Sequence, residues 1–466
     1  MASQNEKNAT QKLPQKLPWS LLRAGGRFGL SDDETRDPIG LAVLALNKIA
    51  SSDLLDSLGL RKASESAVYR VTGAGFRTAG TVGRTFARAG RRAQGNRVPT
   101  AKNTGLFDLE PGEDEQMLAD VVGEFADEVV RPAAASANEE CAAPEDLLKA
   151  TLEIGLPILG VPEELGGIAT ERSAMAGTLV HEALAKGDLG LAVAALAPGA
   201  VATAISLYGT DEQQSTYLPA FTGDEVPAAA LALAEPTALY DPAAPSTTAT
   251  AKGDGYVLNG VKSAVVRGSE AELFIVGAEL DGTARLFLVE SKTAGVTIES
   301  DPSMGVRAAS LSRLVLKDVE VEKIALLGDA DDHRECVRLS RLAWCALAVG
   351  TAQAVLDYVT PYVKEREAFG EPIAYRQSVA FMVANIAIEL QGMRLVTWKA
   401  AGRVAQGKPA AREIALARRL CAERGMQIGL DGVQLLGGHG FVKEHPVERW
   451  YRDLRAIGLM EGAVLV

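Results

Sequence analysis

The hydrophobic periodicity of this chain changes twice, and this constrains the fold more than any other feature. Apolar residues recur at helical spacing over 108–228, change to the alternation of strands over 229–325, and return to helical spacing over 326–466. The β-type runs lie at 256–261, 273–276, 285–289 and 314–316. We therefore predict an α+β multidomain protein, with an N-terminal helical domain, a small middle β-barrel-like domain and a C-terminal helical bundle.

Residues 1–107 differ from the rest in charge. They carry 17 Lys and Arg against 8 Asp and Glu, which leaves −21 for the remainder of a chain whose net charge is −12. Arginines recur every seven residues, and several glycines between them weaken a helix. The repeat comprises Arg70, Arg77, Arg84 and Arg91. We predict a basic extension, partly disordered, that acts as a flexible leader or linker. The alternative is a peripheral membrane contact through 66–107.

Composition excludes several classes of protein. An acidic body disfavours nucleic-acid binding, which needs clustered cations. The four histidines show no metal-ligand spacing, so we expect no metal site. The four cysteines are scattered without a CxxC pair, and the polar N-terminus lacks a secretory apolar region. We therefore expect a cytoplasmic protein, with a membrane-peripheral location as the alternative.

The uncharged stretch 189–210 is long enough to suggest a membrane span. Pro198 and Gly199 interrupt it, and alanine dominates it. We therefore predict two short buried helices joined by a turn.

Three segments carry the functional signal. The first contains Arg366, Phe369 and Gly370, followed by Gln377. The second is the run 434–441 (QLLGGHGF), followed by Pro446, Glu448, Arg449, Arg452 and Asp453. The third is Glu461-Gly462. Each alone is weak, because an arginine at a helix end is usually a surface charge and a Gly-Gly pair usually ends a helix.

Together these segments resemble the acyl-CoA dehydrogenase family. The first is similar to its RxxFG segment, the second to its Q-x-x-G-G-x-G-[FY] and P-x-E-[KR]…RD segments, and the third to its E-G pair. Weaker similarities lie upstream, at 162–167 (PEELGG), 234–236 (AEP) and 304–307 (MGVR). The resemblance covers about 108–466, in register and in the expected domain order.

The resemblance implies an enzyme of lipid metabolism with FAD as cofactor. Such an enzyme removes a proton from the α-carbon of an acyl-CoA thioester and a hydride from the β-carbon. Glu461 is the implied base, and Arg341 is the implied substrate-positioning residue. Residue 340, where some relatives carry the base, is a serine here.

The implied cofactor contacts reach a flavin bound mainly by a neighbouring subunit, so the resemblance also implies a homodimer or homotetramer. They comprise Arg366, Phe369, Gln377, Gln434, Gly437 and Gly438. The expected electron acceptor is an electron-transfer flavoprotein.

The β-domain motifs depart from the family pattern. The hydroxyl of the T-E-P-x-x-G-S-D segment is replaced by Ala234, and its Gly-Ser pair by Leu239-Tyr240. The W-[IV]-[ST]-N segment reads 264–267 (AVVR). These departures leave an alternative, namely a catalytically impaired family member that acts as a partner subunit or an acyl-CoA-binding scaffold.

Overall fold

The structure, a computed structural model, describes residues 111–168, 172–223 and 225–466. The predicted basic extension, with its arginine repeat and its alternative membrane contact, lies outside these residues. Within them a helical region, a β region and a second helical region follow one another, which confirms the predicted fold class.

The N-terminal helices begin at well-defined caps. The described helices are α1 (Glu113–Phe125), α2 (Arg131–Glu140), α3 (Glu145–Glu153), α4 (Ala174–Gly187), α5 (Leu189–Tyr208) and α6 (Asp211–Phe221). Helix α4 is capped by Ser173, whose Oγ accepts from the Ala176 amide at 3.1 Å. Helix α6 starts with a capping box between Thr210 and Gln213.

Helix α5 corrects one prediction. It is a single helix of 20 residues with Pro198 inside it, rather than two short helices joined by a turn. It is buried along nearly its whole length, as expected, with 94% of its most apolar window enclosed by protein. Packing on all sides holds the helix together although Pro198 lacks an amide hydrogen. By length and composition α5 and two helices of the C-terminal region could each cross a membrane.

The middle domain is one eight-stranded sheet. Its strands are β1 (Ala229–Ala232), β2 (Thr248–Lys252), β3 (Gly255–Val265), β4 (Leu273–Leu280), β5 (Thr283–Glu290), β6 (Val296–Ser300), β7 (Ser312–Glu322) and β8 (Leu326–Leu327). Their order in the sheet is β6-β7-β3-β2-β4-β5-β8, with β1 paired to β4. The four predicted β-type runs all lie in strands. Strand β1 is parallel to β4, whereas β4 and β5 form an antiparallel hairpin.

Asp281-Gly282 and Asn259-Gly260 are both residue pairs typical of hairpin turns, but only the first forms one. Asp281 and Gly282 connect β4 to β5, and both have positive φ, as a two-residue hairpin requires. Asn259-Gly260 is no turn but an irregularity within β3. The Asn259 side chain bonds Asp318 on the neighbouring strand, so a cross-strand partner replaces the local turn.

The C-terminal region is a bundle built around one long helix. Its helices are α7 (Ala330–Glu365), α8 (Gln377–Ala405), α9 (Ala411–Leu436) and α10 (Val447–Leu454), and a short hairpin, β9 (Glu367–Ala368) and β10 (Glu371–Pro372), follows α7. Helix α7 packs closely on α4, since a Cβ at Gly350 would lie 2.0 Å from the Glu182 carbonyl oxygen. The N-terminal and C-terminal helices therefore share one core.

Candidate active site

Glu461 lies in a buried segment that follows α10. The backbone turns sharply at Gly462, with φ of 71°, and a Cβ there would lie 3.2 Å from Leu233 Cγ. Ser340 Oγ donates to the Gly462 carbonyl oxygen at 2.7 Å, and Trp344 Nε1 donates to the same atom at 3.1 Å. Two side chains of α7 thus fix the carbonyl group of Gly462, the residue that follows Glu461.

The carboxylate of Glu461 forms a two-point ion pair with Arg341. Arg341 Nη2 lies 2.6 Å from Glu461 Oε1, and Arg341 Nε lies 2.9 Å from Oε1 and 3.1 Å from Oε2. The Glu461 side chain is 7% exposed and that of Arg341 is 34% exposed. Burial lowers the pKa of Arg341, but the hydrogen bonds and charge of Glu461 outweigh it, so the net direction is upward. The two residues predicted as base and substrate-positioning group therefore meet.

A second cation beside Glu461 was missed from the sequence. Arg418, on α9, places Nη2 3.6 Å from Glu461 Oε1 and donates to the Met460 carbonyl oxygen at 2.6 Å. Its Nη1 atom is buried and has no hydrogen-bond partner in the described part of the chain. An arginine within a helix carries no local signal of such a contact, because the contact depends on how α9 packs.

A tyrosine of the β domain has a buried hydroxyl. The Tyr240 hydroxyl is buried, and the residues of 111–466 that the structure describes offer it no hydrogen-bond partner. Burial, followed by the charge of Glu461, raises the pKa of Tyr240, while Arg418 and Arg341 oppose the shift. Tyr240 therefore lies within electrostatic range of Arg341, Glu461 and Arg418. A buried hydroxyl without a partner costs about 1–3 kcal/mol.

The segment that carries Tyr240 is held at its base by a buried ion pair. Glu235 accepts hydrogen bonds from the Ser246 amide at 2.8 Å and the Thr247 amide at 2.9 Å, and Lys262 Nζ lies 2.8 Å from Glu235 Oε1. The side chains of Lys262 and Glu235 are 0% and 3% exposed. Glu235 therefore closes the segment 236–245 into a loop.

The neighbouring Leu239 is strained and unpacked. Its φ is 58°, a left-handed conformation that costs a residue with a Cβ roughly 1 kcal/mol. Its side chain is fully exposed to solvent. Leu239 therefore does not occupy the space around Glu461. Two other departures in the β domain also remove side-chain groups of the family pattern, because Ala234 stands where the pattern has a hydroxyl and Ala264 stands where it has an indole.

The six predicted cofactor residues lie apart from Glu461, on the surface. They are Arg366, Phe369, Gln377, Gln434, Gly437 and Gly438, and all six are exposed. Their segments are the end of α7, the β9–β10 hairpin, the start of α8 and the end of α9. The Phe369 side chain is 96% exposed and lies under the Arg376 guanidinium, 5.7 Å from the ring centroid. This exposure agrees with the implied role of reaching a cofactor on another subunit.

The P-x-E-[KR]…RD motif lies at the junction of three elements. Arg449 Nε lies 2.9 Å from Oδ2 of Asp188, the residue that caps α5. Asp453 Oδ1 accepts from the Val306 amide at 2.6 Å, and burial with the nearby charge of Asp188 raises the pKa of Asp453. The motif therefore connects α10 to α5 and to the β domain. In the described ranges no group of three or more His, Cys, Asp or Glu residues is placed to hold a metal ion.

Comparison with known proteins identifies the family. The acyl-CoA dehydrogenase N-terminal, middle and C-terminal domain families match residues 112–225, 230–319 and 333–464. The chain is 33% identical over 383 residues to the mitochondrial short-chain specific acyl-CoA dehydrogenase of Mus musculus, which covers 80% of this chain and 92% of that protein. The chain belongs to the acyl-CoA dehydrogenase family.

Solved structures agree with this assignment. Butyryl-CoA dehydrogenase from Megasphaera elsdenii superposes with a TM-score of 0.69 at 27% identity, covering 76% of this chain and 95% of that chain. A glutaryl-CoA dehydrogenase from Mycobacterium smegmatis in complex with FADH2 gives 0.69 at 25% identity, covering 74% and 90%. The chain is thus a flavoprotein oxidoreductase of the FAD-dependent dehydrogenase class.

The exposed C-terminal segments fit FAD. A Cβ at Gly437 or Gly438 would meet no atom within 4 Å, so the backbone there is open to close approach by a large ligand. The exposed Arg366 guanidinium suits phosphate oxygens. On the β-domain side the fit depends on backbone groups, because Ala234 and Val266 offer no hydroxyl.

Proposed function

We propose that this protein dehydrogenates a short acyl-CoA thioester between its α- and β-carbons, with Glu461 as the base. The observation that carries this proposal is the buried Glu461 carboxylate held at two points by Arg341. The similarity to a short-chain specific relative supports a short acyl chain. FAD, when bound, supplies the acceptor for the hydride that leaves the β-carbon.

The ion pair defines what Glu461 does before and during the reaction. Arg341 and Arg418 place two positive charges beside the Glu461 carboxylate, which is the proposed acceptor of the proton. When the thioester binds, one Glu461 oxygen takes the α-proton while the C–H electron pair moves toward the thioester carbonyl. Arg341 keeps the second oxygen in place, and the fixed Gly462 peptide prevents the side chain from turning away.

The test is Glu461→Gln, which keeps the size of the side chain and removes the base. A general base contributes about 10²–10⁴-fold. We expect the rate of flavin bleaching by butanoyl-CoA to fall by at least about 10²-fold, with FAD content unchanged. Glu299→Gln, at an exposed strand position, is the matched control. Bleaching by the Glu461 variant at the normal rate contradicts the proposed base. A protein that binds butanoyl-CoA without bleaching favours the non-catalytic scaffold.

We also propose that a second copy of this chain covers the exposed apolar face of α8 and α9. Phe381, Ile388 and Leu395 recur every seven residues along α8 and are 59%, 66% and 51% exposed. Only 17% of the most apolar window of α8 is buried, and the predicted cofactor residues lie at the ends of these helices. An apolar face of this kind is typical of an interface between protein subunits.

The oligomer is tested by Ile388→Glu, with Glu299→Gln as the control. Light scattering after size-exclusion chromatography should show a dimer or tetramer for the control and a smaller species for the variant. The FAD content should fall with the mass, because Arg366 and Gln434 are proposed to reach the cofactor of the neighbouring subunit. A monomeric wild type that sediments with lipid vesicles contradicts the second copy and assigns the face to a membrane.

We also propose an electron-transfer flavoprotein as the electron acceptor and the cytoplasm as the location of the protein. An electron-transfer flavoprotein is the acceptor expected from the family, and its reduction by the butanoyl-CoA-loaded enzyme tests this. The four cysteines of the described chain are free thiols, which supports the cytoplasm as the location. Fractionation of cells that express the whole chain tests the location.

A further inference from the structure

The backbone on both sides of Glu461 is held by side chains of the C-terminal bundle. Arg418 Nη2 donates to the carbonyl oxygen of Met460, the residue before Glu461, at 2.6 Å. Two side chains of α7 donate to the carbonyl oxygen of Gly462, the residue after it. Helices α7 and α9 therefore fix the short segment that carries the Glu461 carboxylate.

Arg418 is a charged residue on the buried face of α9. Ile414, Ala417 and Cys421, which lie within about one turn of it, are all buried. The Arg418 side chain is itself only 12% exposed. Its Nη1 atom has no hydrogen-bond partner among the described residues, and a buried donor without a partner is rare enough to need an explanation. The contacts that Nη2 makes with the segment around Glu461 account for a charge at this position.

The two oxygens of the Glu461 carboxylate are not held equally. Oε1 accepts from Arg341 Nη2 at 2.6 Å and from Arg341 Nε at 2.9 Å, and Arg418 Nη2 lies 3.6 Å from it. Within the described residues Oε2 accepts only from Arg341 Nε, at 3.1 Å. An ionised carboxylate offers about four acceptor sites, shared between its two oxygens. Oε2 therefore has the greater unused capacity.

We propose that Arg418 is a positioning residue for the proposed base. Together with Arg341 it anchors Oε1 and the backbone beside Glu461, which leaves Oε2 as the oxygen that forms an O–H bond when the α-C–H bond of the thioester breaks. The electron pair of that C–H bond moves toward the thioester carbonyl, as in the proposed function, on which this inference rests. Arg418 acts through Glu461 and the Met460 carbonyl rather than on the thioester.

A positioning residue changes the rate of the reaction and not the binding of the ligand. Arg418→Met removes both contacts of Nη2 and should lower the rate of flavin bleaching at saturating butanoyl-CoA about tenfold, which is less than the loss expected for the base itself. The half-saturating concentration and the FAD content should stay the same. Arg418→Lys keeps a cation at the site and should restore most of the rate.

A double variant separates this role from a general structural one. When Glu461→Gln is already present, Arg418→Met should cause no further loss of rate, because its effect passes through the Glu461 carboxylate. The losses of two independent sites would instead multiply.

The experiment follows bleaching by stopped-flow absorbance in the FAD-loaded full chain over a range of butanoyl-CoA concentrations. Arg419→Met is the matched control, since Arg419 is the next residue of α9 and its side chain is 84% exposed. Arg418→Gln, which removes the charge and keeps an amide donor, gives the same comparison if the methionine variant does not fold.

Each outcome bears on the positioning role. A slower saturating rate in Arg418→Met, with the full rate in Arg419→Met and no further loss beside Glu461→Gln, supports it. A wild-type rate in Arg418→Met, together with a slow Glu461→Gln variant, overturns it and leaves Glu461 as the base. Losses that multiply in the double variant also overturn it, because they show an effect independent of Glu461. Wild-type bleaching by Glu461→Gln overturns the proposed base and this inference together.

Discussion

The buried ion pair of Glu235 and Lys262 should add little net stability, whereas removing either partner alone should destabilise the protein strongly. Hydrogen bonds from Lys262 and two amides outweigh burial and lower the pKa of Glu235 from 4.5 to about 2. This contributes about 3 kcal/mol of stability above pH 4.5, which is lost as the pH falls from 4.5 toward 2. Burial lowers the pKa of Lys262 from 10.5 to about 8 in spite of Glu235. That costs about 3 kcal/mol at neutral pH, and the cost declines as the pH rises from 8 to 10.5. The two contributions nearly cancel.

Lys262→Met should therefore destabilise strongly, because it leaves the Glu235 carboxylate buried without its cation. We expect a loss of about 3–5 kcal/mol at pH 7. Glu235→Gln leaves a buried Lys262 without its anion and should cost a similar amount. The double variant, with neither charge, should recover about 2–3 kcal/mol relative to the sum of the single losses.

Urea unfolding followed by circular dichroism, at pH 7 and at pH 4, measures these losses. The penalty of Lys262→Met should shrink at pH 4, because Glu235 without its cation becomes protonated there. Strictly additive single losses, or a Lys262→Met variant within about 0.5 kcal/mol of wild type, would refute the reasoning. Either result would also mean that the loop carrying Tyr240 is anchored by the backbone hydrogen bonds alone.

Three further predictions concern other buried contacts. Burial lowers the pKa of His181 and of His333 from 6.5 to about 4. The contribution of these two neutral histidines to the free energy of unfolding is full above pH 6.5 and should be lost as the pH falls from 6.5 to 4. His181→Gln should reduce this loss, which thermal melts at a series of pH values measure. Arg449→Met leaves Asp188 buried without its cation and should lower the free energy of unfolding by about 3–5 kcal/mol, with partial recovery in the double variant that also carries Asp188→Asn. Gly462 has a positive φ, and a Cβ there would lie in close contact with Leu233. Gly462→Val should therefore lower the free energy of unfolding by more than about 2 kcal/mol and reduce flavin bleaching by butanoyl-CoA. A normal melting temperature of this variant would contradict the strained turn.

The domain order was predictable because periodicity is a local property of the sequence. The long helices α8 and α9 lie within the predicted C-terminal helical region 326–466, and the turn at Asp281-Gly282 forms as its residues require. The two errors have tertiary causes. A fully enclosing core keeps α5 continuous through Pro198, and a partner on β7 keeps Asn259 within a strand.

The site was predictable only as far as the family resemblance extends. Glu461 and Arg341 were selected on motif positions, and the structure brings them into contact. Arg418 reaches Glu461 from α9, through packing that has no signature in the local sequence. The FAD contacts of the six exposed residues are a prediction that rests on the family resemblance.

The length of α7 has a consequence for genetic complementation. Arg341 lies within this helix and Arg366 directly follows it, so about 37 Å of rigid helix separates the two at 1.5 Å per residue. In the proposed dimer, Arg341 of one subunit would thus contact the thioester bound to that subunit, and Arg366 would contact the FAD bound mainly by the neighbouring subunit. Two inactive alleles, Glu461→Gln and Arg366→Ala, should then restore each other when co-expressed. The mixed dimer would contain one active site in which both residues are intact and one in which both are substituted.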